Sequence, residues 1–280
     1  MKGLVLEGGA MRGLFSAGVM DVMMEHDIVP DGIIGVSAGA CFGCNYVSGQ
    51  HGRALRYNQL MARDSRFCGL KSLITSGDVY NAEFAYHTLP NEIDIFDNER
   101  FMASPIDFHV VCTDVEEGKA VYRKCEFSGD RLFDWIRASA SMPVVSNIVE
   151  IDGFKLLDGG ISDSIPLQYF ESIGYDKNIV VLTQPRDYRK QKSKFLPIIR
   201  IALRKYPKVA ELMAHRHEMY NAELEFVRQA EAEGRCIVIS PDSPLPIGHI
   251  SHSPEDMQRV YDLGREAAKS RIDNVLKFLS

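Results

Sequence analysis

Basic charge is not in excess in this chain: 32 Lys and Arg stand against 38 Asp and Glu, for a formal net charge of −6. A nucleic-acid-binding domain is usually markedly basic, so no nucleic-acid partner is expected. Cysteine is sparse as well. The six cysteines at 41, 44, 68, 112, 125 and 236 show no paired framework of the kind that staples small secreted domains, and reduced thiols are expected. Long apolar runs are missing. The opening run Met1 to Leu6 is broken by Glu7 and then by glycines, so it reads as neither a signal peptide nor a spanning helix, and a cytoplasmic location is expected. Repeats and low-complexity linkers are also lacking. What the chain does have is apolar material: 45% of its 280 residues are hydrophobic, enough to bury the core of one α/β domain over 1–280, with 186–280 a mostly helical C-terminal part packed on it.

The most informative stretch is Gly35-Val36-Ser37-Ala38-Gly39, a G-x-S-x-G pentapeptide between the apolar pair Ile33-Ile34 and a run of small residues. It reads as a nucleophile elbow, a tight strand-to-helix turn that pushes a serine hydroxyl into the open, with Gly35 and Gly39 where a Cβ would strike neighbouring backbone. Alone, the pattern is also that of an ordinary glycine-rich turn with a solvated serine. Its surroundings raise its meaning. An apolar strand, Lys2 to Leu6, precedes a helical pattern in which Leu14, Phe15, Gly18, Val19, Val22 and Met23 share one face, and a second strand, Gly32 to Val36, delivers Ser37. Strand, helix and strand make a right-handed βαβ unit with parallel strands, so both loops leave the sheet at one carboxyl edge, where open α/β sheets bind ligands.

The first loop, Glu7-Gly8-Gly9-Ala10-Met11-Arg12-Gly13, thereby faces the serine. Attack on an ester carbonyl creates an oxyanion that needs preorganised N–H donors, each worth about 3 kcal/mol in the barrier. The amides of Gly9 and Ala10 are placed to supply them, the helix beginning near Arg12 adds its positive end, and the Arg12 side chain can hold the loop or an anionic group. A phosphate grip is the competing reading. A Walker loop needs Lys and Ser or Thr where Leu14-Phe15 stand, and the dinucleotide fingerprint needs glycine at Ala10.

Taken with Asp158-Gly159-Gly160 far downstream, these motifs in this order resemble the patatin-like phospholipase family. That resemblance implies a three-layer α/β/α fold with a central, mainly parallel sheet, and hydrolysis of lipid acyl esters through an acyl-enzyme, of phospholipase A or lysophospholipase type. It implies Ser37 as nucleophile, Asp158 as base without a histidine, and Gly8 to Gly13 as the oxyanion loop, with no cofactor. One position departs: Ala10 replaces the family's third glycine, and alanine is strained there if φ is positive.

The remaining features have plainer readings. Asp152-Gly153 separates two short apolar strands and marks a hairpin turn, whereas Asp158 ends a strand and is free to bend toward Ser37. Asp107 to Val115 and Val121 to Arg123 read as two strands about Glu116-Glu117-Gly118, and Arg53 to Arg63, Asn81 to Leu89, Leu132 to Ala140, Ala210 to Glu233 and Pro254 to Leu279 as helices. Ser65 to Gly77 either flanks an acyl-binding mouth or connects two helices. Ser141 is structural. His249 or His252 would satisfy the chain order of a Ser-Asp-His triad, but that fold builds several strands before its elbow and this chain builds two. Cys41-x-x-Cys44 falls on the helix after the elbow, and neither His215 with His217 nor His249 with His252 has the further ligands a metal needs, so no metal is expected. Finally, Arg186 to Lys208 holds nine Lys or Arg against the single acid Asp187, interleaved with Phe195, Ile198, Ile199 and Ile201. It reads either as a peripheral contact with anionic membrane or as a solvated helix. A non-catalytic protein that keeps the fold to sense lipid or nucleotide is the rival from another class.

Overall fold

The structure is a computed structural model that describes residues 1–62, 81–248, 251 and 253–280. The apolar runs form strands and the 3.6-period runs form helices, in the order β1 Lys2–Leu6, α1 Gly13–Glu25, β2 Gly32–Val36, α2 Ala38–Val47, α3 Arg53–Ala62, a π-helix Phe84–Ile93, α4 Asn98–Ala103, β3 Asp107–Asp114, β4 Lys119–Lys124 and α5 Asp130–Ser139. Next come β5 Val149–Ile151, β6 Phe154–Asp158, α6 Leu167–Ser172, β7 Lys177–Val181, α7 Leu196–Ala202, α8 Pro207–Ala232, β8 Cys236–Ile239, α9 Pro254–Lys269 and α10 Ile272–Leu279. Among the described residues these strands build one eight-stranded sheet, ordered β5-β6-β3-β2-β1-β7-β8, with β4 also on β3. The β1, β2, β3, β7 and β8 pairings are parallel. The antiparallel pairings are those of β3 with β4 and with β6, and of β5 with β6.

Both faces of the sheet are covered, which is why β2 is apolar throughout rather than alternating. Leu4, Leu6 and Ile33 enter one core with Phe15, Phe42, Trp135 and Val260, whereas Val5, Ile34 and Val180 enter the other with Phe170, Tyr220 and Leu224. That two-sided burial is the three-layer arrangement expected. Helix α1 is buried on nearly all sides because α9 covers its outer face, with the Tyr261 hydroxyl donating to buried Asp21. The mostly helical C-terminal part also extends the sheet, through β8 on β7. No helix among the described residues is long and apolar enough to cross a membrane.

Two expected helices differ. Asn81 to Leu89 is not a regular α-helix: the winding is π over Phe84–Ile93 with Pro90 inside. A proline ring clashes with the carbonyl four residues back and lacks an N–H, and the wider turn, closed by the Asp94 N–H on the Leu89 carbonyl at 2.9 Å, accommodates it. Pro254 to Leu279 is two helices, because the last turn of α9 closes at Ser270 and Arg271 and α10 then turns Ile272, Val275 and Leu279 into the core.

Candidate active site

The register of β3 brings the site together. β4 occupies one edge of β3 from His109 to Asp114, so β2 and β6 share the other. β2 ascends that edge until Val36 pairs with Val111, and β6 arrives from the opposite direction until Asp158 pairs with Cys112. The two carboxyl ends meet head to head, and Ser37 and Asp158 fall side by side. Ser37 and Asp158 line one small cavity, close enough that the Ser37 hydroxyl helps hold the Asp158 carboxyl down.

Ser37 has φ 54°, a left-handed conformation that a non-glycine residue holds only where its surroundings enforce it. A Cβ on Gly35 would lie 2.6 Å from the Ala40 amide nitrogen and one on Gly39 2.4 Å from the Leu6 carbonyl oxygen, so the turn exists because both are glycine. The Ser37 N–H donates to Ser139 Oγ at 2.9 Å, which itself donates to the Val111 carbonyl at 2.6 Å. Ser139, at the end of α5 and fully buried, therefore clamps the elbow to β3. Ser141 holds the other partner through its carbonyl, which accepts the Asp158 N–H at 2.8 Å, while its hydroxyl bonds the Arg137 carbonyl.

Asp158 is buried, and burial pushes its carboxyl above the ordinary carboxylate value, opposed by the Arg216 charge, the Ser37 hydroxyl and the Gly160 N–H. The last of these donates to Oδ1 at 2.7 Å. Asp152 is elsewhere, at the β5–β6 turn, where it accepts from Arg131 and from Trp135 Nε1 at 3.0 Å each.

The glycine loop lies against the serine: a Cβ on Gly8 would stand 3.0 Å from that of Ser37. Ala10 does adopt positive φ, 49°, at a cost of about 1 kcal/mol. What holds the loop is Glu7, buried at its root. Its carboxyl accepts from the Thr183 N–H at 2.6 Å, from Thr183 Oγ1 and from the Tyr220 hydroxyl at 2.6 Å, and the Thr183 hydroxyl also reaches the Gly8 carbonyl. Burial raises the Glu7 pKa against these bonds.

Two cavities open from this point. The larger, about 550 Å³, is lined by Met11, Phe42, Tyr57, Leu89, Phe133 and Ile136 among others, with Phe195 at its wall. The smaller, about 120 Å³, is polar and lined by Arg12, Lys190 and Arg216 with Asp158 and Tyr220. Ala10, Ser37 and Met142 line both. Arg12 and Gly160 join the polar wall, Gly159 packs on the Val111 carbonyl, and Gly13 lies beside Ala38 and Phe42.

Other sequence candidates separate from the site or lie outside the described residues. His249, His252 and the 65–77 stretch are not described. Cys41 borders the apolar cavity, but burial pushes both its thiol and that of Cys44 up to about 12. His215 bridges Glu211 and Glu218 on α8. The basic stretch divides: Arg186 pairs with Glu231, Arg189 with Glu225 and Lys208 with Glu117, and Lys190 turns inward. Helix α7 buries Leu196 and Ile199 yet leaves Ile198 and Ile201 56% and 68% exposed, with Phe195 before it 69% exposed. Ser139, Arg216 and Tyr220 carry no signal in the sequence beyond their residue type, and Lys190 reads there only as one of the basic run.

A covered, mainly parallel sheet with a serine elbow, a glycine loop and an Asp-Gly-Gly turn at one edge defines a patatin-type α/β fold. Residues 4–171 match the family model described as patatin-like phospholipase, and residues 206–280 match one described as a domain of unknown function (DUF6363). The chain belongs to the patatin-like phospholipase family, a family of lipid hydrolases. It is 24% identical to the "Uncharacterized protein YjjU" of Escherichia coli (strain K12), covering 99% of this chain and 78% of that protein. It is 31% identical over 64% of its length to the "Uncharacterized NTE family protein Rv1063c" of Mycobacterium tuberculosis (strain ATCC 25618 / H37Rv), of which it spans 48%. Against "Lysophospholipase nte1" of Aspergillus niger it is 23% identical over 98% of its length, spanning 18% of that much longer protein. Among solved structures, VipD from Legionella pneumophila shares the fold, with a TM-score of 0.50, 12% identity, and coverage of 98% of this chain and 67% of that one.

Proposed function

We propose that the chain hydrolyses lipid acyl esters, of phospholipase A or lysophospholipase type, through a Ser37–Asp158 dyad. The observation that carries this reading is that a serine on a positive-φ turn and a buried carboxyl line one small polar cavity where it meets an apolar one. The substrate's acyl chain lies among Phe42, Leu89 and Phe133. Ser37 Oγ attacks the ester carbonyl and Asp158 takes its proton, a task suited to a carboxyl whose pKa burial has raised. The Gly9 and Ala10 amides stabilise the oxyanion, assisted by the N-terminal end of α1. Asp158 returns the proton to the leaving alcohol, and water repeats the cycle on the acyl-enzyme.

The chain works as one unit over 1–280, cytosolic and peripheral to the membrane. Phe195, Ile198 and Ile201 enter the lipid surface beside the mouth of the acyl cavity, and the exposed Lys192, Lys194, Arg200, Arg204 and Lys205 meet anionic head groups. A fluorophosphonate probe, read by intact mass and peptide mapping, should add to Ser37 in the parent and to nothing in Ser37→Ala. A panel of esters, thioesters and phospholipids with that same control then assigns the bond. An unlabelled parent that turns over none of the panel would end the reading.

A further inference from the structure

The polar cavity holds more positive charge than ester hydrolysis requires. Lys190 and Arg216 reach it from outside the three sequence motifs, and both are fixed in place. The Lys190 backbone is clasped from both sides by Asn221, whose Oδ1 accepts its N–H at 2.9 Å and whose Nδ2 donates to its carbonyl at 3.0 Å. Its ammonium stands 4.6 Å from the centre of the Tyr220 ring, and Tyr220 is itself tied to Glu7. Arg216 donates from Nε to the Gly160 carbonyl. Arg12 completes the wall from the glycine loop. Burial and the neighbouring Arg216 push Lys190 down to about 8, as expected of cations crowded together. Glu7 and Glu223 lie close enough to offset part of that push on Lys190, but the oxygens of Glu7 accept from Thr183 and Tyr220 and those of Glu223 from the Ser164 and Ile165 amides.

Arg216 this near Asp158 lowers its basicity and so opposes the proton transfer, an opposition that an anion arriving with the substrate beside Arg216 and Lys190 relieves. An uncharged ester brings none. We infer that Arg12, Lys190 and Arg216 form a subsite for the anionic phosphoryl group of a lysophospholipid head group, positioned on the far side of Ser37 from the acyl cavity. The small cavity is polar and far too narrow for an acyl chain, whereas the shared lining of Ala10, Ser37 and Met142 puts a bound ester carbonyl between chain and phosphate. Arg216, Tyr220 and Asn221 all come from α8, so the C-terminal segment matched to the domain of unknown function builds this wall. The inference rests on the hydrolase reading for its substrate, not for its anion.

The test compares a lysophosphatidate with the monoacylglycerol of the same chain, offered together to the full-length protein. Competing substrates meet the same folded molecules, so the ratio of kcat/KM values is independent of how much of a variant folds. The parent should prefer the phosphate ester by about tenfold or more, the scale of one charge-assisted hydrogen bond. Lys190→Met should remove most of that preference and Lys190→Arg should restore part of it, while inorganic phosphate competes with the monoacylglycerol. A ratio near one in the parent, or one that Lys190→Met leaves unchanged, overturns the inference. Competition by inorganic phosphate without preference for the phosphate ester makes free phosphate the occupant and overturns the head-group assignment. If neither ester is turned over and the fluorophosphonate leaves Ser37 unlabelled, the hydrolase reading has failed by itself. Calorimetric titration of inorganic phosphate then decides: binding to the parent and not to Lys190→Met supports the subsite, and no binding to either removes it.

Discussion

Arg216 faces Asp158 across a single residue: its Nε bonds the Gly160 carbonyl, and the Gly160 N–H bonds Asp158 Oδ1 at 2.7 Å. Burial pushes the Asp158 pKa up and Arg216 is the foremost influence holding it down. A base must be ionised to accept a proton, so kcat/KM should fall as pH drops through the Asp158 pKa, above the ordinary 3.8. Replacing Arg216 with Gln removes the opposing charge and should move that acid limb to still higher pH. A pH profile on a neutral short-chain ester checks it, and a limb that stays put or moves down contradicts the assignment of Asp158.

His109 is buried in β3, edge-on to Phe170 and Tyr175, with neither ring nitrogen hydrogen-bonded among the described residues, and burial lowers its pKa from 6.5 to about 4. A depressed histidine binds its proton more weakly folded than unfolded. Its contribution is present above pH 6.5 and is lost as pH falls, by about 3 kcal/mol near pH 4. His109→Phe should therefore flatten the acid decline in urea-unfolding stability between those limits. An identical decline in the variant would sink this account.

Gly264 of α9 stands so close to α1 that a Cβ would lie 2.0 Å from the Phe15 carbonyl oxygen, and Gly18 faces Tyr261 in the same way at 2.1 Å. Alanine gains about 1 kcal/mol in helix propensity over glycine, but the obstacle here is backbone, which no rotamer change relieves. Gly264→Ala should be destabilising by about 1–3 kcal/mol net, read as a lower midpoint in thermal unfolding. A raised midpoint would mean that the two helices do not cross there.

Much of this was legible because it is local. The apolar runs of β1 and β2, the helical spacing of α1 and the glycines of the elbow each declare themselves within a few residues, and the choice of Asp158 over Asp152 followed from strand end against hairpin turn. The polar wall was not legible. Lys190 reads in the sequence as one more member of a basic run, and only the clasp by Asn221 turns it toward Ser37. Ser139 is equally mute until α5 returns it to the elbow. Pro90 is the visible sign that the segment after residue 81 is not a regular helix, and β7 takes its place between β1 and β8 only through pairings with strands far away in the chain.

The exposed Ile198 and Ile201 give the membrane reading a direct check. Burying either side chain in lipid is worth about 1.5–3 kcal/mol. The double replacement by Ser should cut sedimentation with anionic vesicles by about tenfold or more, and high salt should weaken the parent's binding by screening its lysines and arginines. Equal binding by parent and variant would assign this face to solvent.

The pairing of Ser37 with Asp158 is tested most directly by a double-mutant cycle on ester turnover. Ser37→Ala and Asp158→Asn should each lower kcat/KM by about 10³-fold or more, and the double variant should be no slower than the worse single, because groups that act as a unit do not lose activity twice. Near-normal turnover in Asp158→Asn, or losses that multiply in the double variant, would contradict the pairing.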